Sequence, residues 1–113
     1  MTDCLFCRIV TGEVPAQVVH ESDRTLAFRD VNPQAPTHVL LVPKAHHGDV
    51  AVLADADPAL LADVLAAAVE VVRAEGLDGG YRLVTNTGAD GGQTVGHLHV
   101  HVLGGRALGW PPG

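Results

Sequence analysis

His97, His99 and His101 alternate with Leu98, Val100 and Val102, so an imidazole recurs at every second position. Side chains at i, i+2 and i+4 of a β-strand share one face. The histidines would stand in a row, roughly 6–7 Å between successive members at a strand rise of ~3.3 Å per residue. Leu98, Val100 and Val102 would fill the opposite face and belong to a core. Imidazole titrates near neutrality and can act as nucleophile, proton donor or metal ligand. The competing reading is three satisfied histidines on a solvated strand face. Strict alternation beside a glycine-rich loop favours a site. A metal held by all three is disfavoured, because the outer pair would lie ~13 Å apart on an unbent strand. Two adjacent members could share an ion.

Gly88-Ala89-Asp90-Gly91-Gly92-Gln93-Thr94 leads directly into that row. Glycines permit positive φ, and successive N–H groups in such a turn can form an anion-binding concavity. The loop lacks the Gly-Lys-Ser/Thr ending of a Walker loop. Alone it would read as a flexible connection; beside the histidines, a phosphate held next to a nucleophilic imidazole is the simplest joint account. Cys4 and Cys7 form a C-x-x-C near the start. A redox pair normally sits at a helix start in a βαβ setting, which is absent. Two unrelated buried thiols remain open. So does a closed zinc site, with two further ligands drawn from His46, His47 and His97. Asp30 is either a solvated turn carboxylate or a partner for ribose hydroxyls.

The elements that must position these groups follow from pattern. Val18–Glu21 and Thr25–Arg29 read as strands joined by a turn at Ser22-Asp23. The two prolines of Val31-Asn32-Pro33-Gln34-Ala35-Pro36 predict a loop, and His38–Val42 is a strand stopped by Pro43. Asp57 and Pro58 open a helix bearing the stripe Leu60, Leu61, Val64, Leu65, Ala68, Val69 and Val72. Arg73 suits its last turn and Gly76 its C-terminal cap. Tyr81–Asn86 is a fourth strand, and a fifth begins at Thr94 or His97. This order predicts an α+β fold: a five-stranded, mostly antiparallel sheet with one long helix packed on it.

The 113 residues imply one domain, residues 1–113, with 47% apolar and 18% charged content typical of globular proteins. Aromatic content of 4% and a net charge of −6 argue against a nucleic-acid partner. No stretch reaches the ~18 apolar residues of a membrane span. No cationic and apolar leader opens the chain, so a cytoplasmic location is expected.

Taken in order, Asp30 through His38, Val42-Pro43-Lys44-Ala45-His46, Asn86-x-Gly88-x-x-Gly91-Gly92-Gln93-Thr94-Val95 and His97 through Leu103 resemble the histidine triad (HIT) nucleotide-binding family. The ending Leu103-Gly104-Gly105-Arg106 through Trp110-Pro111-Pro112-Gly113 is similar to its Hint branch. The match runs from Cys4 to Gly113. It implies a HIT-like fold whose sheet extends across a homodimer. It also implies hydrolysis of purine nucleoside 5′-phosphoramidates through a nucleotidyl-histidine intermediate. By the family pattern His99 is the nucleophile, and His101 and His38 flank the phosphate. Gly92, Gln93 and Thr94 would contact phosphate oxygens with Asn86 close by. Asp30 would hold the ribose, and Phe6, Ile9, Val14 and Val31 would wall the base pocket. Trp110 would lie near the partner's active site. Gly109 replaces the bulkier residue that relatives often carry there, which bears on the leaving amine.

Relatives beginning Cys-x-x-Cys imply a zinc held by Cys4, Cys7, His46 and His97, with His47 as the adjacent spare. Branch members without the cysteines are similar elsewhere, so the metal would be structural and catalysis would need none. Two other readings stand beside the phosphoramidase: a dinucleoside polyphosphate hydrolase, and a nucleotide-binding interaction protein with incidental hydrolysis.

Overall fold

The computed structural model describes residues 3–113. In chain order its elements are α1 (Leu5–Val10), β1 (Val18–Glu21), β2 (Thr25–Arg29), β3 (Thr37–Pro43), α2 (Val50–Ala56), α3 (Pro58–Ala74), β4 (Tyr81–Val84) and β5 (Val100–Gly104). The strands form one sheet in the order β1-β2-β3-β5-β4, with neighbours antiparallel throughout. The expected α+β architecture is present. The expected five-stranded antiparallel sheet is present too, and among the described residues every strand pairing is antiparallel.

The long helix follows its sequence signals closely. Asp57 accepts from the Leu60 amide at 3.0 Å, and Pro58 occupies the first turn. Past the C-terminus, Gly76 takes φ +67°. Its N–H reaches Arg73 O, and that of Leu77 reaches Val72 O, the paired closing bonds of a glycine-ended helix. Leu60, Val64, Ala67, Ala68, Val71 and Val72 are buried. Leu65, counted in the apolar stripe, remains 45% exposed.

Period-two alternation divides the sheet. Ala27, Val39, Leu41, Val100 and Val102 face α3 and, with Leu53 and Leu98, form the main core. Leu26, Phe28, Leu40 and Val42 face the other way and pack on Phe6 of α1. Two short helices, α1 and α2, lie outside the elements expected from sequence pattern. In α1 the cap is a thiol, with Cys4 Sγ accepting from the Cys7 amide at 3.4 Å. In α2 the signal was present: Asp49 accepts from the Val52 amide at 2.9 Å ahead of a short apolar run.

The fifth strand starts later than expected, at Val100, so only His101 of the histidine row lies within a strand. The ladder to β3 ends at Leu41 opposite Val100. Beyond it the Leu98 amide turns to His47 O at 2.7 Å, and the His97 imidazole occupies Pro43 O at 2.9 Å. β4 likewise stops at Val84, and the Thr85 hydroxyl donates to His99 O at 3.0 Å in place of a ladder amide. One irregular backbone bond and two side chains thus hold these segments where ladder pairing stops.

Leu41 has no exposure and sits between β2 and β5 under α3. Leu41→Ala should cost ~2–5 kcal/mol in urea unfolding, whereas Leu65→Ala should stay within ~0.5 kcal/mol of the parent. Equal losses would contradict the burial of Leu41 and the exposure of Leu65.

Candidate active site and metal centre

The site lies on the sheet face turned away from α3. His101 of β5 stands opposite Leu40, and His38 lies two residues along β3 on the same face. Their rings approach with His38 Nε2 at 2.9 Å from His101 Nδ1. His99 packs beside them, its ring centroid 5.1 Å from that of His101 and 5.0 Å from that of Phe6.

Backbone groups dictate which ring nitrogen carries the proton. A carbonyl can only accept, so His97 donates through Nε2 to Pro43 O and His99 through Nδ1 to its neighbour's carbonyl, His97 O, at 2.9 Å. With its Nδ1 proton committed there, the His99 lone pair belongs to Nε2. An amide can only donate, so His38 accepts through Nδ1 from the Gln34 N–H at 3.0 Å. Its Nε2–H then faces His101 Nδ1, which accepts, leaving the His101 proton on Nε2.

Burial favours the neutral forms of His38 and His101. Desolvation first, then His99 and His38, pushes the His101 pKa down to about 4, against an opposing pull from Asp30. Desolvation also lowers His38, again opposed by Asp30. Asp30 Oδ2 lies 3.4 Å from His38 Nε2, while its Oδ1 accepts from the Asn32 amide at 2.8 Å.

Beside the histidines a cavity of about 350 Å³ is lined by Phe6, Ile9, Val14, Phe28, Leu40 and Val31, among others, with Asp30 in its wall. Each expected base-pocket residue, Phe6, Ile9, Val14 and Val31, lines it. Phe28 and Leu40 were missed, although they lie on the alternate face to the core residues Ala27 and Val39.

The glycine loop closes mostly on itself. Gln93 Oε1 accepts from the Gly88 amide at 3.1 Å, and Gln93 Nε2 donates to Gly48 O and Val95 O. Asn86 Nδ2 donates to Gly91 O at 2.7 Å, and the Gly92 amide bonds Ala89 O. A Cβ at Gly91 would collide with Thr87 O, so the loop path demands glycine there. Gln93 and Asn86 thus hold the loop in shape, while Thr94 is exposed. Trp110 is 82% exposed, and it does not line the cavity of its own chain.

Cys4, Cys7, His46 and His97 converge, each offering one ligand atom within 4.8 Å of the others. Zinc takes sulfur at ~2.3 Å and imidazole nitrogen at ~2.0–2.1 Å, so a tetrahedral centre separates sulfur from nitrogen by roughly 3.5 Å. The Cys4–His97, Cys7–His46 and Cys7–His97 separations are 3.3, 3.3 and 3.5 Å. The bond from His97 Nε2 to Pro43 O turns the bare Nδ1 toward the thiols, the outer hydrogen bond that ligating histidines require. The residues fit zinc. Asp30, His38 and His101 also cluster, but the Gln34 amide occupies the His38 lone pair and leaves its inner nitrogen protonated. That chemistry suits a hydrogen-bond chain better than an ion.

The chain matches the HIT domain family over residues 11–108. It is 50% identical to a HIT-like protein of Synechocystis, covering 98% of this chain and 97% of that one. It is 48% identical to the 14 kDa zinc-binding protein of Zea mays, covering 96% of this chain and 87% of that one. A HIT family hydrolase from Legionella pneumophila superposes with a TM-score of 0.94 at 53% identity, covering 98% and 100% of the two chains. A histidine triad protein from Clostridium difficile gives 0.92 at 41% identity, with 96% of each chain covered. This chain belongs to the HIT family.

His101 is neutral in the fold down to about pH 4 but takes up a proton near 6.5 when unfolded. Its contribution to stability is complete above pH 6.5 and is lost as the pH falls toward 4, because the unfolded chain binds the extra proton. Urea midpoints should drop between about pH 7 and about pH 5, and His101→Gln should shrink that drop. An unchanged drop in the variant would exclude His101 as its source.

Proposed function

We propose that this protein hydrolyses purine nucleoside 5′-phosphoramidates through a covalent intermediate on His99. The observation that carries the reading is the tautomer of His99. With Nδ1–H committed to His97 O, the Nε2 lone pair is available to attack phosphorus. The similarity to HIT family hydrolases supports nucleotide hydrolysis, and the likeness of the C-terminal residues to the Hint branch supports the phosphoramidate class.

In the first displacement His99 Nε2 forms a bond to phosphorus, and the P–N bond breaks. The amine departs protonated, with the His101 Nε2–H as the nearest donor and His38 behind it. In the second, water attacks phosphorus, the P–Nε2 bond breaks, and the water proton restores the histidine pair. Loop donors around Gly92 and Thr94, with Gln93 and Asn86 shaping that loop, would stabilise the equatorial oxygens. The apolar cavity would take the base, with Asp30 holding the ribose hydroxyls.

Steady-state assays on an adenosine phosphoramidate should show turnover that His99→Ala lowers by at least about 10³-fold. Turnover surviving in that variant would remove His99 as nucleophile. Faster hydrolysis of diadenosine polyphosphates would replace the substrate class. Nucleotide affinity without turnover on either would make this a binding protein.

The cysteine–histidine cluster is proposed to hold one structural zinc through Cys4, Cys7, His46 and His97. It would tie α1 to the segments carrying His46 and His97, and no chemical step needs it. Protein purified without chelator should contain about one zinc per chain, and Cys4→Ser should lose it together with thermal stability. Full zinc retention in Cys4→Ser would refute that ligand set. A cytoplasmic homodimer completes the proposal. β4 ends the strand order with Tyr81 partly exposed, and Trp110 is free to reach a partner's site. Light scattering at the mass of one chain, 11.7 kDa, would exclude the dimer.

A further inference from the structure

The histidine pair is governed by a segment outside the motif that names the family. Gln34 N–H is the donor that forces His38 to accept through Nδ1. Its placement depends on the loop between β2 and β3. The Asp30 N–H bonds His38 O at 3.0 Å and closes the loop at its base. Asp30 Oδ1 caps the Asn32 amide, and Gln34 Nε2 donates to Asn32 O at 2.9 Å. Pro33 and Pro36 restrict the backbone on either side of Gln34. The remaining tether comes from the other end of the chain: Arg106 Nη2 donates to Gln34 O at 2.8 Å, while Nη1 donates to Ala107 O at 2.9 Å. The turn beside it is tight. A Cβ at Gly105, where φ is +92°, would meet Pro36 Cβ at 2.8 Å.

We propose that Arg106 is a positioning residue: by anchoring Gln34 O it holds the Gln34 N–H on His38 Nδ1 and so sets the proton placement of the His38–His101 pair. Gln34 offers its amide and its carbonyl to different partners on either side of one Cα. A guanidinium is suited to this tether, because its rigid fork satisfies Gln34 O and Ala107 O together. With Gln34 held, His38 keeps its proton on Nε2, His101 accepts through Nδ1, and the His101 Nε2–H faces outward as donor. With Gln34 released, His38 Nδ1 loses its partner, and the ring can exchange into the opposite tautomer against the pull of Asp30 Oδ2, 3.4 Å from Nε2. His38 Nε2 would then be bare, and His101 would have to turn its proton inward. No other described interaction ties Gln34 to the C-terminal segment.

The role in turnover rests on the hydrolase reading above; the proton placement does not. Long-range ¹H–¹⁵N spectra of the ligand-free protein distinguish protonated from bare ring nitrogens. In the parent protein His38 should carry its proton on Nε2. In Arg106→Ala the two His38 nitrogen resonances should move toward each other, and Arg106→Lys, which keeps a cationic donor but not the fork, should fall between. A contact that served only stability would lower the unfolding midpoint and leave those resonances in place. With an adenosine phosphoramidate, kcat should fall about 2- to 10-fold in Arg106→Ala with KM little changed, the range expected from losing one hydrogen bond. A parent His38 protonated on Nδ1 overturns the proposal. So does an Arg106→Ala spectrum identical to the parent, or a shifted tautomer with undiminished kcat. If the parent hydrolyses no phosphoramidate, the proposed function fails, and the spectra still decide the placement of the His38 proton.

Discussion

The register of β3 against β5 sets Leu40 opposite His101 and Val39 opposite Val102. Successive residues of a strand face opposite ways, so this pairing assigns every side chain of both strands to one of two environments. Val39, Leu41, Val100 and Val102 go under α3; His38, Leu40 and His101 go to the side that also receives Phe6 and Phe28. A slip by one residue would bury His101 beneath the helix and expose Val102. The fully buried valines and leucines of the helix side resist that slip, and the histidine side inherits its geometry from them. The helix-side core therefore positions polar groups on the opposite face of the sheet.

Having reached one face, the histidines are differentiated by the backbone. Pro43 O and His97 O each claim a ring N–H, and Gln34 N–H claims a ring lone pair. Those bonds give His97 a bare Nδ1 toward the thiols, His99 a bare Nε2, and His38 a proton to share with His101. Each differentiating group sits where regular pairing has ended or a proline has interrupted it, so irregular backbone specialises chemically identical side chains. The same economy appears in the glycine loop, where Gln93 and Asn86 spend their amides on loop carbonyls.

Much of this was legible in the chain before folding was considered. Asp57-Pro58 and the apolar stripe located α3 from cap to cap, because capping and amphipathic periodicity are local. A zinc site on the C-x-x-C needs two further ligands, and of the three candidate histidines His46 and His97 are the ones that converge with Cys4 and Cys7. The six-residue α1 was not legible: it is too short for a periodic signal and is capped by a thiol. Nor was the late start of β5, since the alternation His97 through Leu103 persists whether or not a partner strand runs alongside.

By itself, then, the sequence determined the helix that shields the core and the alternation that separates imidazoles from apolar residues. Those depend on neighbours a few positions apart, and elementary backbone sterics and periodicity suffice to read them. The tertiary structure decided which histidine faces the thiols, which keeps an outward lone pair, and how Arg106 comes to hold Gln34 across 72 positions. Such choices turn on single hydrogen bonds between distant segments, and a hydrogen bond exists only when packing has brought both partners within about 3 Å. No spacing along the chain encodes that distance.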